Sequence, residues 1–166
     1  RVDANGAWTP REAVAKTEAL ADHDVEFVEQ PVPADDVEGL RFVRERGAVP
    51  VAADESVTTA ATVPRVADAV DIVVAKPMKC GSLAETRRVA TVAHAHDCEA
   101  MVGCMVASNA AMAASCHLAP RFEYADLDGA LLLAEDPYAG VPMPGGEVDL
   151  AALDRPGTGA VRRDGG

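Results

Sequence analysis

Four polar residues in this chain recur at a spacing that would set them side by side in a fold of repeating units. Asp3 in VDANGAW, Glu29 in VEQP, Asp54 in ADES and Lys76 in VVAKPMK follow one another at roughly 25 residues, about one strand–helix unit each. Three carboxylates brought to one point repel one another unless a cation neutralises them, and hard oxygen ligands with room for water select Mg2+ over softer metals. The common phase of Asp3, Glu29 and Asp54 therefore points to a divalent-metal site, although any one of them alone reads equally well as a helix N-cap or a surface charge. A lysine beside such a site has its pKa lowered by the cation and by partial burial, and can then act as a base near neutrality. Lys76 is the candidate. The chain's other lysines are Lys16 and Lys79. Lys79 shares the stretch KPMKCGS with Lys76 but lies past Pro77, and is expected on a solvated loop as a possible substrate contact.

These residues meet only if each one closes a strand. Short β-branched runs at 24–31, 48–56, 70–77, 98–105 and 122–128 read as buried strands that end in a polar residue. Within the third run, alternation sends Asp71, Val73 and Ala75 one way and Ile72, Val74 and Lys76 the other. Helical patterns lie between the runs. One begins at Thr9 as N-cap with Pro10 first in the helix and presents Ala13, Val14, Thr17, Leu20 and Ala21 on one face. Another begins at Ser82 and presents Leu83, Thr86, Val89, Ala90 and Ala93. Weaker helices are expected over 35–46 and 109–117, and Pro64 should delay or kink the one between 57 and 69. The alternation is that of parallel βα units. No Gly-rich phosphate turn follows the first strand, so a closed β/α barrel is favoured over an open doubly wound sheet. In such barrels catalytic groups stand at the C-terminal strand ends, where the four residues above are expected.

Composition narrows the partners. The formal net charge of −12 argues against nucleic acid and anionic membrane surfaces, both of which demand basic patches. It also matches a protein kept soluble in high salt. Cys80, Cys98, Cys104 and Cys116 have no CxxC spacing and read as buried reduced thiols. There is no apolar run of membrane-spanning length and no signal-peptide layout, so a cytoplasmic location is expected. None of the four histidines is aimed at a strand end. Trp8 reads as packing, and Glu55 divides evenly between a supporting acid and a helix-start residue. The segment 135–166, rich in Pro and Gly, is expected to wrap the barrel formed by residues 1–134. Because the chain opens on Arg1, a piece of something longer is expected.

Taken together, DANGAW, VEQP, ADES, KPMKCGS and DLD, in that order and spacing, resemble the C-terminal barrel of the enolase superfamily, in its muconate lactonizing enzyme subgroup, and within it the dipeptide epimerases of the L-Ala-D/L-Glu epimerase kind. The resemblance covers nearly the whole chain. It implies a partial TIM-like (β/α)7β barrel, from about the third to the eighth strand, without the N-terminal capping domain and the first strands. It implies that Asp3, Glu29 and Asp54 ligate Mg2+ and that Lys76, on the sixth strand of the family barrel, is one acid/base. The Lys-x-Lys motif of the second strand, which supplies the opposite face, has no counterpart in this sequence. Asp126 and Asp128 in DLDGALLL are similar to the Asp-x-Asp motif that dipeptide epimerases use to hold the substrate's α-ammonium group. Ala107 stands where many members carry an acid, which leaves the particular dipeptide open.

The activity so implied is epimerisation of a dipeptide by α-proton removal and return, with the enolate's charge stabilised by Mg2+. A muconate-type cycloisomerase or an o-succinylbenzoate synthase is the alternative among enzymes, less favoured because those substrates offer no ammonium group to the two aspartates. A truncated, catalytically incomplete fragment is the alternative of another class. Association into a homo-oligomer is compatible with all three.

Overall fold

The computed structural model describes residues 1–163. Its main feature is one six-stranded, all-parallel sheet in sequential order, β1 (Val2–Asp3), β2 (Val28–Glu29), β3 (Val51–Ala53), β4 (Ile72–Ala75), β5 (Glu99–Val102) and β6 (Tyr124–Ala125). Between the strands run α1 (Pro10–Ala21), α2 (Val37–Arg46), α3 (Val63–Val66), α4 (Pro77–Cys80), α5 (Leu83–Ala95) and α6 (Asn109–Cys116). The sheet is curled. Arg1, beside the first strand, donates from Nη1 to the carbonyl of Ala125 on the last strand at 3.2 Å, and its guanidinium stacks on the rings of Phe27 and Tyr124 at 5.3 and 5.1 Å. The expected partial barrel is thus present as a half-barrel.

Alternation along the strands divides the core into two faces. Val28, Val51, Ala53, Val73, Ala75 and Ala100 point outward into one cluster with Ala13, Leu40, Val43, Val63 and Val89 of the helices. Phe27, Ala52, Ile72, Val74 and Met101 point inward and pack with Tyr124. Every one of the inward five is at most 1% exposed, so the concave face is dry at its floor. Lys76 continues the inward set of Ile72 and Val74 by the period of two.

Local chemistry sets the helix starts. Thr9 forms a capping box with Glu12 ahead of Pro10, and Ser82 accepts from the Glu85 N–H. Pro64 does delay its element, which begins only at Val63 after a non-helical approach from 57. Two residues assigned to buried helix faces are corrected: Leu83 is 39% exposed and Ala21 is exposed. Each sits at the end of its helix, Ala21 last in α1 and Leu83 first in α5.

After α6 the chain forms a short antiparallel pair, β7 (Tyr138–Ala139) with β8 (Val161–Arg162). Val141, Met143, Leu150 and Leu153 from this segment pack against Met112, Ala113 and Cys116. Residues 164–166 of the expected wrapping segment lie outside the described residues. No helix among the described residues is long and apolar enough to cross a membrane.

Candidate functional site

The strand register assembles the site. Asp3 and Glu29 are direct partners across β1 and β2, while Glu29 faces Ala52, two residues before Asp54. Lys76 follows β4 in extended backbone and is the N-cap of α4. Lys76 Nζ lies 2.6 Å from Asp54 Oδ2 and 3.5 Å from Glu29 Oε1. Glu29 and Asp54 are only 7% and 2% exposed, and carboxylates at that depth persist only when paired. Asp3 is exposed at the rim and accepts from the Asn5 N–H.

Electrostatics shows what this cluster lacks. Burial pushes the Glu29 carboxyl up to about 7, with Lys76 opposing and the charges of Asp3 and Asp54 adding to the rise. Glu29 Oε1 is buried and has no hydrogen-bond donor. For Lys76, burial lowers the pKa, but the hydrogen bond and charge of Asp54, with Glu29 behind it, outweigh that and hold the ammonium above its usual value. In this arrangement two carboxylates in contact outweigh desolvation, and the lowering expected of a lysine beside a bound cation belongs to a different charge balance. A second cation beside Glu29 would change the balance. An orphaned buried carboxylate oxygen among hard oxygen donors fits Mg2+, and Asp3, Glu29 and Asp54 are the residues that would hold it.

Two residues that sequence reasoning misplaced or missed secure Asp54. Lys79 is not on a solvated loop. Pro77 at the first helical position and Gly81 in the left-handed C-terminal position confine PMKC to one turn. That turn swings Lys79 back under the strand ends, where its side chain is 8% exposed. Its ammonium donates to Asp54 Oδ1, to the Asp54 carbonyl and, at 3.1 Å, to the Val74 carbonyl. Gln30, fully buried and with φ of 36°, accepts the Asp54 N–H at 2.9 Å on its side-chain oxygen and donates to the Val32 carbonyl and Ser56 Oγ. A non-glycine residue in the left-handed region directly after Glu29 is backbone strain stored at the site.

Across the mouth stand Asp126 and Asp128. Asp126 follows β6 next to Gly103, on the concave side with Lys76. Desolvation, then the neighbouring Asp128, raises its carboxyl. Cys104 joins them: its Sγ lies 3.7 Å from Asp128 Oδ1 and accepts the Gly129 N–H at 3.3 Å. Among the described residues this is the trio whose possible ligand atoms all fall within 4.8 Å of one another; the oxygens of Asp3, Glu29 and Asp54 are not drawn in so far, with the Lys76 ammonium against two of them. Cys104 was read as a buried thiol and is instead half-buried at the rim, because it lies past the end of β5. Trp8 packs on the outer core under the Lys16 ammonium, and Glu55 is exposed.

Gly103 keeps the Lys76 channel clear. A Cβ there would stand 3.0 Å from Lys76 Cε and 3.2 Å from both Lys76 Cγ and Val74 Cγ1. Gly103→Ala is expected to displace the lysine stem while costing about 1–3 kcal/mol of overpacking. A thermal melt lowered relative to the parent checks this, and an unaltered melt would show that the stem bends away freely.

Comparison with known proteins follows the same lines. The sequence family described as Enolase C-terminal domain-like matches residues 1–164. The hydrophobic dipeptide epimerase of Roseobacter litoralis is 38% identical over 161 residues, which covers 97% of this chain and 46% of that protein. The L-Ala-D/L-amino acid epimerase of Flavobacterium johnsoniae is 39% identical over 161 residues, covering 97% of this chain and 47% of that protein. The solved dipeptide epimerase of Enterococcus faecalis V583, in complex with Mg and L-Leu-L-Tyr, superposes with a TM-score of 0.82 at 35% identity, covering 88% of this chain and 43% of that one. The chain thus spans about half the length of these relatives.

Proposed function

Since this chain belongs to the enolase C-terminal domain-like family, we propose that it contributes the metal-binding and one-base half of a dipeptide epimerase. The observation that carries this reading is the contact of Lys76 Nζ with Asp54 Oδ2 and Glu29 Oε1 at the concave strand ends. Relatives named as dipeptide epimerases, and a solved one holding Mg and a dipeptide, support it.

Asp3, Glu29 and Asp54 hold Mg2+ in this reading. Bound there, the cation would stabilise the negative charge that grows on a carbonyl oxygen as the adjacent α-proton departs. Lys76, released from the two carboxylates when their charge is engaged, takes or returns that proton on one face of the α-carbon. Asp126 and Asp128 receive the dipeptide's ammonium group across the mouth and set the α-carbon over Lys76, a placement that contributes several kcal/mol without touching the reacting bond. The dry floor of Phe27, Ile72 and Met101 keeps water from beneath the site. Proton transfer on the opposite face requires another group. Lys16 lies over Trp8 and Lys79 is bound to Asp54, so neither lysine serves.

The test is α-proton exchange in D2O with Mg2+, using the intact protein and a panel of L,L and L,D dipeptides. Epimerisation is expected to disappear in Lys76→Ala, together with α-proton exchange of the epimer whose α-proton faces Lys76. Turnover of a muconate or succinylbenzoate precursor, with no dipeptide exchanged, would leave the metal and base in place and remove the dipeptide from the reading.

A further inference from the structure

Asp54 is the most constrained acid in the site. Its N–H is held by Gln30 Oε1, and both its carbonyl and its Oδ1 are held by one ammonium, that of Lys79. We propose that Lys79 is a positioning residue that locks the side chain of Asp54 so that Oδ2 alone faces the cation site. This rests on the reading of Asp3, Glu29 and Asp54 as that site.

Three observations converge. An ammonium has three donors, and those of Lys79 are all used on Asp54 Oδ1, the Asp54 carbonyl and the Val74 carbonyl. With its side chain 8% exposed, it has neither a free donor nor an open path to a substrate. Gripping the main chain and the carboxylate of the same residue from one point closes a ring through the side chain, which fixes both side-chain torsions of Asp54. The third acceptor belongs to β4, so the same ammonium ties the end of β3 to the strand that carries Lys76. The outcome is visible on the other oxygen: Asp54 Oδ2 is left to Lys76 at 2.6 Å. Lys76 and Lys79, one helical turn apart, divide the carboxylate between them, one oxygen each.

A charge-only role predicts the opposite sign from a positioning role. If Lys79 merely neutralises Asp54, removing its charge makes the site more negative and a divalent cation binds more tightly. If it positions Asp54, removing it frees the torsions and the cation binds more weakly.

The experiment titrates the metal-free intact protein with Mn2+, an oxygen-preferring divalent probe, and follows loss of the free-ion EPR signal. Two variants are compared with the parent. Lys79→Met is close in volume and uncharged, and Lys79→Arg keeps the charge on a planar fork that does not present three donors to one point. Both are expected to bind Mn2+ at least tenfold more weakly, to keep a cooperative melt, and to show a dipeptide KM within about twofold of the parent at saturating Mn2+. Unchanged or tighter binding by Lys79→Met, or parental binding by Lys79→Arg, would overturn the proposal in favour of charge alone. Loss of the cooperative melt in both would assign Lys79 to the fold and overturn it equally. A parent that takes up no Mn2+ sinks the cation-site reading itself, a different failure from altered variants of a binding parent.

Discussion

Glu29→Gln should abolish Mg2+ binding and, in the same protein, raise the stability of the metal-free state above neutral pH. The first effect follows from removing a proposed charged oxygen ligand whose Oε1 makes no hydrogen bond and has the Lys76 ammonium only at 3.5 Å, and a loss of at least a hundredfold in affinity is expected. The second follows from linkage. The Glu29 carboxyl is raised from 4.5 to about 7, chiefly by burial, so folding favours its protonated form. That contribution is fully present below pH 4.5 and is lost as pH rises through about 7. A shift of this size corresponds to on the order of 3 kcal/mol against the folded state at alkaline pH. Glutamine carries no charge and escapes this cost. Urea unfolding with EDTA at pH 5 and pH 8.5 should show parent and variant alike at the lower pH and the variant more stable at the higher. Calorimetry with Mg2+ completes the pair, and retained affinity in the variant would remove Glu29 from the cation site.

Much of this was legible in the sequence because barrel geometry converts strand spacing into spatial proximity. Four polar residues one βα unit apart had to meet at the strand ends once the strands proved parallel and in order, and Lys76 had to face inward once Ile72 and Val74 did. What escaped was set by the short connections. Lys79 read as loop because helix α4 is a single turn, below the length at which periodicity is visible, yet Pro77 and Gly81 were its start and stop signals. Gln30 escaped for another reason. Its role depends on a left-handed backbone conformation that no residue type between Glu29 and Pro31 announces. Cys104 was assigned to the core by its apolar neighbours, and the end of β5 two residues earlier, at Val102, leaves it beside Asp128.

Lys76→Met should separate the two functions of the lysine, and it is the variant with the largest expected loss of activity. As the proposed base on one face, Lys76 contributes proton transfer, and exchange of the α-proton of the epimer that faces it should drop by about 10^3 or more. As a cation in the metal-free protein, it compensates Asp54 and Glu29 at 2.6 and 3.5 Å. Removing one partner of such a buried pair costs about 3–5 kcal/mol, with the lower end expected because Lys79 still engages Asp54. Mg2+ reverses the second loss without restoring the first, since it supplies positive charge to the same carboxylates but no proton acceptor. In the parent the arriving cation must also displace the lysine from Asp54 Oδ2, whereas in the variant nothing stands there. The variant should therefore melt well below the parent in EDTA, gain more from Mg2+ than the parent does, and remain inactive when saturated. Parental exchange rates in Lys76→Met would remove Lys76 as the base. An unaltered melt in EDTA would mean that the carboxylates are compensated without it, and that the contact at the strand ends reflects proximity more than mutual stabilisation.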